Sequence, residues 1–167
     1  APTPSEYTYA MIDSNSGEVR RLTVSWESAL QLRTLRSRSR PCGYWLAPSE
    51  NDAVRRLRLL GVEVSQFDEP AELRAEGYRE VGREPVAGGA DANGGGATRL
   101  KVQLQPALLD LAAGGYYVSL EQPLANLVVA ALEPEAPASF AANGVIADLA
   151  REARILVRPS IRMTPVP

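Results

Sequence analysis

"CGYWLAPSENDAVRRLRLLGVEVSQF", Cys42 to Phe67, constrains the fold more tightly than any other stretch of the 167-residue chain. "CGYWLAP" is a compact apolar run. "SENDAVRRLRLLG" then places Val54, Leu57 and Leu60 at helical spacing between Ser49 as a cap and Gly61 as a stop. "VEVSQF" resumes the two-residue alternation of a strand. A strand-helix-strand unit of the βαβ kind places its two strands parallel in one sheet.

The flanking segments add strands. "EYTYAMID" and "EVRRLTVSW" are β-rich and are joined by "SNSG", which has turn chemistry, so together they form a hairpin. Ser25 to Ser39 stays open between strand and helix: Leu30, Leu32 and Leu35 could line a helical face, but the segment is short and ends at Arg-Pro. "AELRAEGYREV" is read as extended and "TRLKVQLQP" as an alternating strand. Between them, residues 88–99 ("GGADANGGGATR") form a flexible Gly-rich loop; no Lys-Ser/Thr pair follows, as a phosphate-binding loop would need.

"ALLDLAAGG" offers a loop or short helical turn ahead of a strand at Tyr116 to Leu120. Pro123 opens an amphipathic helix carrying Leu124, Leu127, Val128, Ala131 and Leu132, and Pro134 and Pro137 stop it. "SFAANGVIADLAREA" permits a second, shorter helix from a Ser139 cap, and "RILVRPSIRM" closes the chain as a strand. The expected fold is α+β: a mixed β-sheet with hairpins, one βαβ-like unit and two to three helices packed on it. The chain is taken as one domain, 1–167, and with no initiator Met it is expected to be a processed chain or an excised piece of a larger protein.

Several functions are excluded by what the chain lacks. It has no histidine, which removes Ser-His-Asp and Cys-His catalysis and every His-containing zinc site. Cys42 is the only cysteine; its apolar setting reads as a small buried hydrophobe rather than an activated thiol. "DSNSGE" (Asp13 to Glu18) has the look of a hairpin turn rather than a calcium loop. The net charge of −2 and pI near 5.3 argue against nucleic acid as a partner. Arginines do crowd Arg20 to Arg58, but Lys101 is the sole lysine, so the cluster reads as composition bias on a solvated face. No apolar run reaches the roughly 20 residues of a membrane span.

Three landmarks occur in order: "RPCGYWLAPSENDAVRRLRLLGVEV", "GGYYVSLEQPLANLVVAALEPEAPASF" and "RILVRPSIRM". Together, across about Tyr7 to Met163, they resemble the region that follows the catalytic domain in bacterial zinc carboxypeptidase-like proteins of the M14 peptidase family. Ser119, Glu121, Ala136 and Ala138 depart from that pattern, and "NGVIADL" lacks the tryptophan-bearing helix of the relatives.

The resemblance implies a noncatalytic C-terminal accessory domain of a zinc metallocarboxypeptidase. Peptide hydrolysis would then belong to the parent's N-terminal domain, and this chain would assist its stability or substrate access. No catalytic or metal residue is assigned here, and no cofactor; zinc belongs to the parent's catalytic domain. The implied partners are that peptidase domain and, through it, the parent's peptide substrate. The implied location is periplasmic or secreted, although no signal peptide opens this chain.

Glu121, Gln122, Glu133 and Glu135 are the candidate interdomain or binding surface. An alternative is a cell-wall glycan- or peptide-binding module using Tyr7, Tyr9, Trp26 and Trp45, against the expectation that these aromatics fill the core. A third reading makes Glu121, Glu133 and Glu135 an acid-base set, against the expectation that Glu133 and Glu135 are solvated loop charges.

Overall fold

The computed structural model describes residues 2–32, 34, 36–90, 96–111 and 113–167. The chain divides into two compact units, Ala1–Arg40 and Pro41–Pro167.

The first unit is the expected hairpin. Strands β1 (Pro2–Ile12) and β2 (Val19–Leu32) pair antiparallel, with Tyr7 opposite Val24 and Tyr9 opposite Leu22. The turn is built on Asp13. Its Oδ1 accepts from the amides of Asn15 (2.9 Å) and Ser16 (3.2 Å), and Gly17 takes φ 72°. Arg20 pairs with Asp13 at 3.3 Å, so this loop's carboxylate is engaged locally. β2 takes the open stretch from Ser25 as strand as far as Leu32, while Arg33 and Leu35 lie outside the described residues.

The second unit is a seven-stranded sheet. Its strands are β3 (Gly43–Leu46), β4 (Ser65–Phe67), β5 (Ala71–Ala90), β6 (Gly96–Leu111), β7 (Tyr116–Ser119), β8 (Glu152–Ile155) and β9 (Met163–Pro165). They lie in the order β6-β5-β8-β3-β7-β4-β9. Every pairing is antiparallel. Among the described residues the unit also holds two helices, α1 (Asn51–Leu59) and α2 (Ala125–Leu132), and a 3-10 turn at Leu149–Arg151.

The expected α+β fold with a mixed sheet and two to three helices is therefore corrected to a mostly β structure of two antiparallel sheets. Three local causes account for the difference. β7 inserts between β3 and β4 and bonds to both, so the expected βαβ partners point the same way without pairing. β5 and β6 absorb as strand what composition left ambiguous, including "ALLDL". After α2, the stretch from Pro134 folds into turns, with Gly144 at φ 71°, where a second α-helix was expected. The expected loop at 88–99 is strand at 88–90 and 96–99, and residues 91–95 lie outside the described set.

Helix ends follow local chemistry. Ser49 does not cap α1; the N-cap is Glu50, with no side-chain cap bond. At the other end Gly61 takes φ 85°, its amide bonds to Arg58 O, and Val62 N reaches back to Leu57 O. This paired 5→2 and 6→1 arrangement is a Schellman stop, which requires the left-handed residue that glycine supplies. α2 ends because Pro134 forces Glu133 into the extended region, at φ −89° and ψ 112°.

Both faces of this sheet are covered. Tyr44, Leu46, Tyr116 and Val118 form one core with Val54 and Leu57 of α1 and Val128 and Leu132 of α2. Phe67, Ala75, Tyr117, Ala153 and Ile155 form a second. Gly43 is demanded by close approach rather than by φ: a Cβ there would meet Val118 O at 2.5 Å and the Tyr117 ring at 2.6 Å.

Candidate functional site

The sheet carries charge into its own interior along β8. "EARI" alternates Glu152 and Arg154 with Ala153 and Ile155, and all four are buried. Register places Arg154 between Tyr44 of β3 and Glu76 of β5, and places Glu152 opposite Leu46. From the end of α2, Glu133 drops onto this rung. The Tyr44 hydroxyl donates to Glu133 Oε1 at 2.8 Å, and Arg154 Nε lies 3.0 Å from the same oxygen. Arg154 Nη1 donates to Glu76 Oε2. At 1% exposure, Arg154 is a buried cation held between two carboxylates from different elements.

The electrostatics follow from burial. Desolvation, then the Glu133 carboxylate, holds the Tyr44 phenol far above its usual range. Glu152 is 2% exposed, and neither carboxyl oxygen has a hydrogen-bond partner among the described residues. Burial first, then the charges of Glu133 and Glu50, push its carboxyl well above its ordinary value of 4.5, favouring the protonated form. Tyr78 OH is likewise buried without a partner among the described residues; burial, then Glu133, push it up. One guanidinium, three carboxyl groups and two phenols thus share one largely buried face of the sheet.

The four sequence-level candidates go to different places. Glu121 is exposed and pairs with Arg158 at 2.7 Å. Gln122 ties two loops together: its Oε1 accepts from Glu63 N (2.9 Å), and its Nε2 donates to Ser119 O (2.6 Å) and Glu63 O (3.2 Å). Glu133 joins the interior rung. Glu135 Oε1 accepts from Val102 N of β6 at 3.2 Å. Ser139 is fully buried; its hydroxyl donates to Pro134 O (3.0 Å) and accepts from Ala142 N (3.1 Å). The tail "LEPEAPAS" therefore works as a clasp, and its carboxylates bind the protein's own groups. Glu133 and Glu135, read from sequence as solvated loop charges, are both partly buried and bonded.

Sequence reasoning missed Arg154, Glu76, Glu152, Tyr44 and Tyr78. The alternation in "EARI" marks a strand with one solvated face, and nothing local reveals that Glu133 and Glu76 meet Arg154 on that face. Cys42 is half-buried, with Sγ 3.1 Å from Leu156 O as a donor. The aromatics of the first unit do not fill a core: Tyr7, Tyr9 and Trp26 are 39%, 45% and 50% exposed. A two-stranded sheet has no second layer of its own to cover either face. Trp45, by contrast, is half-buried against the second core.

An open depression of about 410 Å³ lies between the end of α1 and the β4–β9 edge, lined by Arg58, Gly61, Glu63, Ser65 and Pro165 among others. It contains neither Glu121, Glu133 nor Glu135. Among the described residues no three His, Cys, Asp or Glu side chains gather as a metal site. With no histidine and one cysteine, the donor set does not fit catalytic zinc. No helix among the described residues is long and apolar enough to cross a membrane.

Comparison with known proteins finds distant similarity to fungal carboxypeptidases. Carboxypeptidase 2 of Trichophyton tonsurans and that of Trichophyton equinum are each 28% identical over 145 residues, covering 84% of this chain and 26% of the relative. Carboxypeptidase 2 of Trichophyton rubrum is 27% identical over the same length. The chain thus spans about a quarter of the length of these relatives. No family model matches. No solved structure matches.

Proposed function

We propose that this chain is the noncatalytic C-terminal accessory domain of an M14-type zinc metallocarboxypeptidase. The parent is bacterial and exported to the periplasm or beyond; its N-terminal domain holds the zinc and hydrolyses peptides. This domain's role is to stabilise that neighbour or shape substrate access to it.

The observation that carries the reading is the coverage of the similarity: 84% of this chain against only 26% of a carboxypeptidase. The geometry supports the noncatalytic part. Glu133, the best-placed candidate acid, is bound to Tyr44 and Arg154 beneath α2, and Glu121 lies in an exposed ion pair. A general acid or base must reach substrate at hydrogen-bond distance. The test is the coding sequence ahead of Ala1: a zinc-peptidase domain is expected, and an unrelated neighbour or none overturns the assignment.

A further inference from the structure

One face of the β1–β2 hairpin carries a row of apolar side chains, bounded by Ser5 at one end and Arg20 at the other. Cross-strand pairing puts Trp26, Tyr7, Val24, Tyr9, Leu22 and Met11 on the same side, because Ser5 faces Trp26, Tyr7 faces Val24, Tyr9 faces Leu22 and Met11 faces Arg20. Apart from half-buried Val24 these side chains are exposed, with Met11 at 53% and Leu22 at 50%. The row runs roughly 20 Å at the strand rise. The opposite face is more polar, where Thr8 and Thr23 hydroxyls meet at 3.0 Å. A two-stranded sheet is marginal in water, and a row of this composition marks an interaction surface.

We propose that this face is the surface by which the chain docks onto the peptidase domain of its own parent, an inference that rests on the accessory-domain reading above. Three observations select that occupant. Tyr7 and Tyr9 lie near parallel, at 26° and 6.4 Å between ring centres, but Trp26 stands edge-on to Tyr7, at 80° and 5.4 Å, so the three rings do not continue into one flat platform for sugar stacking. Opposite the tyrosines stand Val24 and Leu22, which offer nothing to sugar hydroxyls, and Arg20, opposite Met11 at the end of the row, is paired with Asp13. Tyr, Trp and Met are instead the side chains enriched at protein interfaces. Relatives place about three quarters of their length outside the matched region, so a tethered protein surface is at hand. Tethering keeps the face covered at any dilution, which a free second copy cannot do.

The test is residue-resolved hydroxyl-radical footprinting of the full-length gene product beside chain 1–167, with the exposed Leu59 and Leu60 as internal controls. Oxidation of Tyr7, Tyr9, Met11 and Trp26 is expected to fall severalfold in the full-length protein only, and Trp26→Arg in that protein is expected to restore it at Tyr7 and Tyr9. Equal oxidation in both proteins overturns the docking while leaving the accessory-domain reading intact. Three further outcomes also overturn it: protection in dilute 1–167, protection that grows with its concentration, and protection only on adding peptidoglycan fragments. A full-length product without a peptidase domain overturns both readings.

Discussion

At the residue scale, the interior rung decides which substitutions hurt. Replacing Glu133 by Ala removes the acceptor for Tyr44 and one of the two carboxylates holding Arg154, leaving a buried cation half-compensated. Breaking such a buried pair typically costs about 3–5 kcal/mol, so E133A is expected to lower the denaturation midpoint steeply. E121A, which breaks only an exposed pair, is expected to change stability by less than about 1 kcal/mol. Similar midpoints for the two variants in urea titrations refute the clasp.

Glu152 gives the opposite sign. Burial raises its carboxyl well above the ordinary value of 4.5 in the folded chain, whereas in the unfolded chain it titrates near that ordinary value. Above that pH the unfolded state binds fewer protons than the folded state. The group's contribution is therefore largest below 4.5 and is lost as pH rises towards its raised folded value. E152Q keeps the shape and removes the titration. Its stability relative to the parent is expected to climb as pH rises above about 4.5, by at most about 1.4 kcal/mol per pH unit. A difference that stays flat with pH means Glu152 is ionised in the fold. These residues were invisible in the sequence because their partners, Glu76 and Glu133 for Arg154, are distant along the chain.

At the element scale, legibility followed how local each cause was. The hairpin turn at Asp13 to Glu18, the Gly61 stop and the Pro134 stop are all set within a few residues, and each stands in the structure. The sheet order is not local. Nothing in "GYWL", "YYVS" or "EARI" states that β8 and β7 flank β3, so the strand-helix-strand signal pointed to a parallel pair that does not form. Gly43 shows why that packing is tight. G43A is expected to destabilise the second unit by about 1–3 kcal/mol, because Cβ would press on the Tyr117 ring and on Val118 O. An unchanged melting temperature contradicts that close approach. The landmark "QP…LEPExxxS" was legible as a pattern, but its meaning was not: Gln122, Glu133, Glu135 and Ser139 hold loops, strands and α2 together from within.

At the scale of the whole molecule, the two units differ in what they can bury. Pro41–Pro167 has a sheet covered on both faces, whereas Ala1–Arg40 is a hairpin with an exposed aromatic row. Residues 41–167 expressed alone are expected to unfold in one cooperative transition, measured by circular dichroism during heating; a broad, non-cooperative melt contradicts their independence. The central claim is that a chain resembling a quarter of a carboxypeptidase contributes scaffold and surface while the chemistry resides elsewhere. The most direct measurement is release of C-terminal amino acids from peptides by purified chain 1–167 with added zinc, before and after chelation. The account predicts no turnover in either condition. Hydrolysis that appears with zinc and disappears with the chelator would contradict it.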